Sequence, residues 1–123
     1  MSHLIVTQSA GCAPLVQAWE AGADRAVPWP NPVTHAAGLR VPGPLGDRLV
    51  LRALAETNGI AAAADEVEIR QATRRLAEAS GIDAAPEGGC ALAVATNLVR
   101  AGKIAASSEV VIFNTGSGAS YRA

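Results

Sequence analysis

The feature that most constrains this chain is an alternation. Short apolar runs rich in β-branched residues take turns with longer amphipathic segments that carry helix start and stop signals. Leu4–Thr7, Ile60–Ala63 and Glu109–Phe113 read as strands, each too short and too evenly apolar for a surface helix. Strands that alternate with helices predict an α/β fold: a mainly parallel-sheet core with flanking helices.

The helical segments are punctuated by residues with a physical reason to be there. Pro14 suits a first helical turn, where its missing N–H is not needed. That helix carries Leu15, Val16 and Trp19 and ends near Gly22. Asp47 opens the next, with Leu49, Val50, Leu51 and Leu54 apolar and Asn58-Gly59 as its stop. Asp65 and Glu68 have the spacing of a capping box. Behind them Ile69, Ala72, Leu76 and Ala79 form an inner stripe, while Arg70, Arg74, Arg75 and Glu78 form a solvated face. Gly81 ends this helix. Pro86-Glu87 begins another, running through Leu92, Val94 and Leu98 to Gly102. Its first turns (Gly88, Gly89, Ala91, Ala93) are small enough for a neighbour or ligand to approach the backbone closely. Between Val27 and Gly46 proline and glycine are dense, yet Trp29, Val33, Leu39 and Val41 point to an ordered, packed loop.

Composition narrows the possible functions. A length of 123 residues allows one domain or part of one. Hydrophobic residues make up 50% and aromatics only 3%, so alanine and branched aliphatics must fill the core. A net charge of −1 with scattered basic residues provides no footprint for nucleic acid or for a membrane surface. No apolar stretch approaches a transmembrane span, and no signal peptide is legible, so a soluble, cytoplasmic protein is expected. Cys12 and Cys90 suggest neither a disulfide framework nor a zinc site, and read as two half-buried thiols. His3 and His35 share no metal-ligand spacing with a cysteine or carboxylate cluster, so no metal is expected. The turn Asn114-Thr115-Gly116-Ser117-Gly118 admits three readings: a plain tight turn, an anion-binding nest, or a hydroxyl presented to a cofactor.

Four segments, in order, resemble the pyridoxal-phosphate (PLP) dependent threonine synthases. They are Val6 to Pro14; Asn31-Pro32-Val33-Thr34 continuing through Ala37-Gly38-Leu39-Arg40-Val41-Pro42 to Leu45-Gly46-Asp47; Ala85 to Gly89; and Phe113 to Gly118. The resemblance covers nearly the whole chain. Related dehydratases share the layout, and the Gly-Leu-Arg-Val-Pro loop points to the synthases. The resemblance implies the tryptophan-synthase-β-like fold (fold type II) and a PLP-dependent lyase of threonine biosynthesis that converts O-phosphohomoserine and water to threonine and phosphate. It implies that Thr115, with Gly116, meets the pyridine nitrogen of the cofactor, that Ala37, Gly38 and Leu39 lie beside it, and that Glu87 is near the ring. A neutral hydroxyl suits an unprotonated ring nitrogen, which moderates the ring as an electron sink.

Two departures matter. Family members commonly continue Gly-Leu-Lys-Tyr, where this chain has Gly118-Ala119-Ser120-Tyr121. The family's Schiff-base lysine and glycine-rich phosphate loop both precede the region that matches. Lys103 is the only lysine, and it follows a helix-ending glycine, so no catalytic residue is assigned in this chain. Residues 1–123 are therefore expected to form a partial domain: a C-terminal fragment inactive without an N-terminal half, holding one wall of a PLP site. The complete enzyme would be a homo-oligomer. An apolar face is expected to be left exposed. Two other readings stay open: a stand-alone module binding a phosphorylated metabolite through Thr115–Gly118 and the Asn31–Gly46 loop, and a truncated remnant.

Overall fold

The computed structural model describes residues 2–122, and the chain divides between Ala63 and Ala64 into two compact units. In the first, β1 (Ile5–Ser9) and β2 (Ile60–Ala64) form a two-stranded parallel sheet. The crossover between them holds α1 (Pro14–Glu20) and α2 (Asp47–Glu56). Two of the expected strands thus form within one or two residues of their anticipated limits. Their apolar side chains are needed because helices pack over the sheet. Leu15 and Val16 of α1, Leu51 and Leu54 of α2 and Ala61 of β2 make the core, with Val6, Ala26 and Trp29 packed against it. Of the four apolar residues noted for α2, Leu49 points outward, at 69% exposure. It stands two residues from Leu51, about 200° around the helix, and cannot share its face. Trp19 of α1 is exposed.

The stop of α2 falls at Asn58-Gly59, as expected. Asn58, not Gly59, takes the left-handed conformation, with φ of 52°. Gly59 donates instead to Leu54 O at 2.7 Å, and Ile60 N to Leu4 O at 3.1 Å, which starts the pairing of β2.

The second unit is built on α3 (Glu66–Ser80) and α4 (Pro86–Arg100), which pack along one another. The capping box forms as anticipated: Asp65 Oδ1 accepts from Glu68 N at 2.8 Å, and Glu68 Oε1 accepts from Asp65 N at 3.0 Å. The other Glu68 oxygen accepts from Asn97 Nδ2 of α4 at 2.7 Å, so one side chain caps α3 and ties it to α4. Ile69 and Ala72 are buried and Arg70, Arg74, Arg75 and Glu78 exposed, but Ala79 is exposed too, so the apolar stripe ends a turn early. The helices approach closely at Gly89, where a Cβ would overlap the Thr73 hydroxyl and crowd the Ile69 carbonyl. Cys12 and Cys90 are free thiols, fully rather than half buried.

The third expected strand is not there. Glu109–Phe113 has no regular secondary structure, although Val110, Val111 and Phe113 have the residue types of a strand. Composition favours a strand only if another strand offers hydrogen bonds, and Glu109–Phe113 pairs with no strand among the described residues. Val111 and Phe113 stand 80% and 79% exposed. No helix among the described residues is long and apolar enough to cross a membrane.

Gly89→Ala should lower stability by about 1–3 kcal/mol despite alanine's better helix propensity, because the methyl group overpacks α3; a urea midpoint equal to that of the parent would contradict the close contact. The exposed Val111 and Phe113 should make the purified chain bind a hydrophobic dye or self-associate, and Val111→Asp with Phe113→Asp should abolish the signal. Dye fluorescence and light scattering check this.

Candidate cofactor-facing site

In the second unit, the site is organised around the start of α4. Ala85 is its N-cap with φ −72° and ψ 162°, and Pro86 occupies the first turn. No side chain caps this helix. Ala85 N donates instead to Gly116 O at 3.1 Å, and Gly118 N donates to Asp83 O at 3.0 Å, so Ala84 and Ser117 form an antiparallel bridge. The glycine turn is thus attached to the segment that leads into α4, not to the end of a strand as the sequence suggested. Gly88 allows this: a Cβ there would overlap the Asn114 side chain. Beyond the turn, Ser117 Oγ accepts from Ala119 N at 3.1 Å and starts a 3-10 turn, Gly118–Tyr121.

Three of the anticipated site residues are brought together here. Glu87 lies in the first turn of α4, half-buried, where a carboxylate is favoured by the helix N-terminus. The Tyr121 hydroxyl donates to its Oε2. Gly116 is tied to Ala85 through its carbonyl, and Thr115 beside it is exposed. Sequence reasoning missed Asn114's contact, Tyr121 and the pair Asp83–Arg122. Arg122 Nη1 and Nη2 reach the Asp83 carboxylate at 3.1 and 2.6 Å, a bidentate pair across 39 positions of sequence. This pairing holds the Asp83 carboxyl below the usual range and raises the Arg122 guanidinium. No local pattern links residues so far apart.

Ala37, Gly38 and Leu39 belong to the first unit, where they form a 3-10 turn. Ala37 and Gly38 are exposed and Leu39 is half-buried. The loop around them is held by both backbone and side-chain hydrogen bonds. Val33 N donates to Gly11 O at 3.0 Å, Ala36 N to Thr34 Oγ1 at 3.1 Å, and Arg40 Nη2 to Thr34 O at 3.1 Å. Trp29 N closes the base of the loop on Pro42 O at 2.9 Å. The adjoining strand-to-helix step is capped by Gln8, whose Oε1 accepts from Leu15 N and Val16 N at 2.9 and 3.1 Å. At the other end Asp47 accepts from Ala26 N at 2.9 Å and from Arg48 N at 2.8 Å. The bond from Ala26 is the main reason its carboxyl lies below the ordinary aspartate range. A surface depression of about 420 Å³ lined by Gly22, Asp24, Arg48, Leu51 and Arg52 contains none of the anticipated residues. No group of three or more potential metal ligands occurs among the described residues.

A sheet with helices over it, a glycine turn locked to a helix start and a proline-rich loop together define the class. The family model described as "Pyridoxal-phosphate dependent enzyme" matches residues 2–116, and the chain belongs to that family. Within it, the sequence is similar to threonine synthases. It is 33% identical to the threonine synthase of Methanosarcina acetivorans and 31% identical to that of Methanocaldococcus jannaschii. These matches cover 89% and 90% of this chain but 27% of each relative, so the chain spans about a quarter of their length. The fold is that of fold type II PLP enzymes. Maize serine racemase superposes with a TM-score of 0.62 and 22% identity, over 76% of this chain and 28% of that one. A threonine deaminase from T.th. gives 0.62 and 23%, over 82% and 35%.

The Asp47 contacts carry a pH dependence. With its folded carboxyl more acidic than an unfolded aspartate, their stabilisation is complete above the unfolded value, about 3.9, and is lost as pH falls through the folded one. Asp47→Asn should therefore flatten the decline in stability below about pH 4, as read from urea midpoints across that range.

Proposed function

We propose that this chain supplies one part of a threonine synthase-like PLP site and that further polypeptide, joined to it or separate, supplies the rest. On this reading residues 1–123 are a partial domain. The completed enzyme is a cytoplasmic lyase of threonine biosynthesis that takes O-phosphohomoserine and water to threonine and phosphate. The observation that carries the reading is the attachment of the Thr115–Gly116 turn to the start of α4 beside Glu87, in a chain similar to threonine synthases over 89% of its length.

The residues present fit the cofactor in one respect. Among the described residues the exposed Thr115 hydroxyl has no hydrogen-bond partner and remains available to donate to a neutral pyridine nitrogen. When bound, PLP supplies the electron sink. Thr115 would hold the ring nitrogen unprotonated. Glu87, fixed by Tyr121, would flank the ring, and Ala37–Leu39 would offer backbone without bulk. Lys103 does not fit the remaining role. It is exposed after α4, its N–H donates to Leu98 O at 2.8 Å, and no group beside it would activate an amine.

Purified by itself, the chain should release no phosphate from O-phosphohomoserine, and borohydride should not fix PLP specifically on Lys103. Adding a polypeptide that carries the family's lysine and phosphate loop should restore turnover. Thr115→Val in that assembly should reduce the rate roughly tenfold to a hundredfold, the effect of losing one hydrogen bond of about 1–3 kcal/mol. Undiminished activity of the Val variant would remove Thr115 from the ring nitrogen, and turnover by the unaided chain would overturn the proposal.

A further inference from the structure

We propose that Tyr121 and Arg122 act as a two-point clasp that holds the Thr115–Gly116 turn and Glu87 in fixed register at the start of α4, as positioning residues for the cofactor face. The proposal rests on the function proposed above for Glu87 and Thr115, but the clasp itself can be tested without any cofactor.

The turn needs such a device. Asn114–Gly118 contains two glycines, which lose more conformational freedom on ordering than other residues. The segment before it, Glu109–Phe113, belongs to no sheet that could fix its direction. Its attachments to the start of α4 are the backbone bonds at Ala85 and Gly118 and the packing of Asn114 on Gly88. Tyr121 and Arg122 follow at once and return to the same segment from the far side of the turn, Tyr121 to Glu87 and Arg122 to Asp83. The backbone bonds thus lie between two side-chain anchors. The 3-10 turn started by Ser117 presents both residues toward residues 83–87.

The two anchors are unequal. The Arg122–Asp83 pair is largely exposed, at 64% and 55%, and pairs of this kind contribute little and are screened by salt. The phenol–carboxylate bond is partly buried and charge-assisted, so Tyr121 should be the stronger anchor. It also fixes the carboxylate of Glu87, one of the two groups aimed at the ring.

Amide hydrogen exchange on the intact chain tests the clasp directly. Tyr121→Phe should speed exchange of the Ala85 and Gly118 amides roughly five- to tenfold while leaving amides within α3 unchanged. Arg122→Gln should speed them only about twofold, and only at low salt. Exchange at Ala85 and Gly118 equal to the parent in both variants overturns the clasp. The positioning role is read in the complemented enzyme, where Tyr121→Phe should shift the absorbance band of bound PLP and weaken its retention with the urea midpoint nearly unchanged. Faster exchange with an unaltered band would leave a structural contact and overturn the positioning role. Failure of complementation with the parent chain would count against the proposed function, while the exchange result still decides whether the clasp exists.

Discussion

The N-cap amide of α4, on Ala85, has no carbonyl of its own helix to donate to, and no side chain caps the helix. The backbone of the Gly116–Gly118 turn fills that role at Ala85 and returns a donor to Asp83. Much of the second unit follows from this exchange. It sets where the turn lies, it requires Gly88 to be small so that Asn114 can pass, and it places Tyr121 within reach of Glu87. The same helix must also approach α3 closely, and Gly89 meets that demand on its other side. Two adjacent glycines thus serve two different neighbours, one a helix and one a loop.

The first unit solves a related problem with side chains. Gln8, at the end of β1, bridges to the opening amides of α1, and Asp47 bridges from the opening of α2 to Ala26. Gln8 thereby caps α1 from the preceding strand, and Asp47 ties the start of α2 to a segment 21 residues earlier. This explains how a proline-rich loop holds its course with little regular structure. It is pinned at Gly11, at Thr34, at Pro42 and at Asp47, and between the pins Ala37 and Gly38 are exposed. A loop with fixed ends and a small-residue crest is suited to meeting a flat ligand face, which accords with the family to which the chain belongs.

The function proposed here divides the work between chemistry and placement. On that reading Thr115 and Glu87 carry the groups that meet the ring, and Tyr121, Arg122 and Asn114 hold them in place. Neither set includes an activated amine. On the proposed reading the activated amine comes from polypeptide that corresponds to the part of the relatives outside the matched quarter of their length.

The sequence by itself determined what depends on neighbours a few positions away. Pro14, the Asp65–Glu68 box and Gly81 mark helix ends because their effects act within one turn, and the inner stripe of Ile69 and Ala72 follows from the helical period alone. The family to which the chain belongs was legible through the order of its motifs along the chain. Only the tertiary structure decided what depends on a distant partner. Glu109–Phe113 has the composition of a strand and is not one, because a strand exists only when another backbone completes its hydrogen bonds. Leu49 faces outward because its helix could bury only one side. Asp83 and Arg122 meet across 39 residues, a pairing that carries no periodicity and depends on the path of the chain between them.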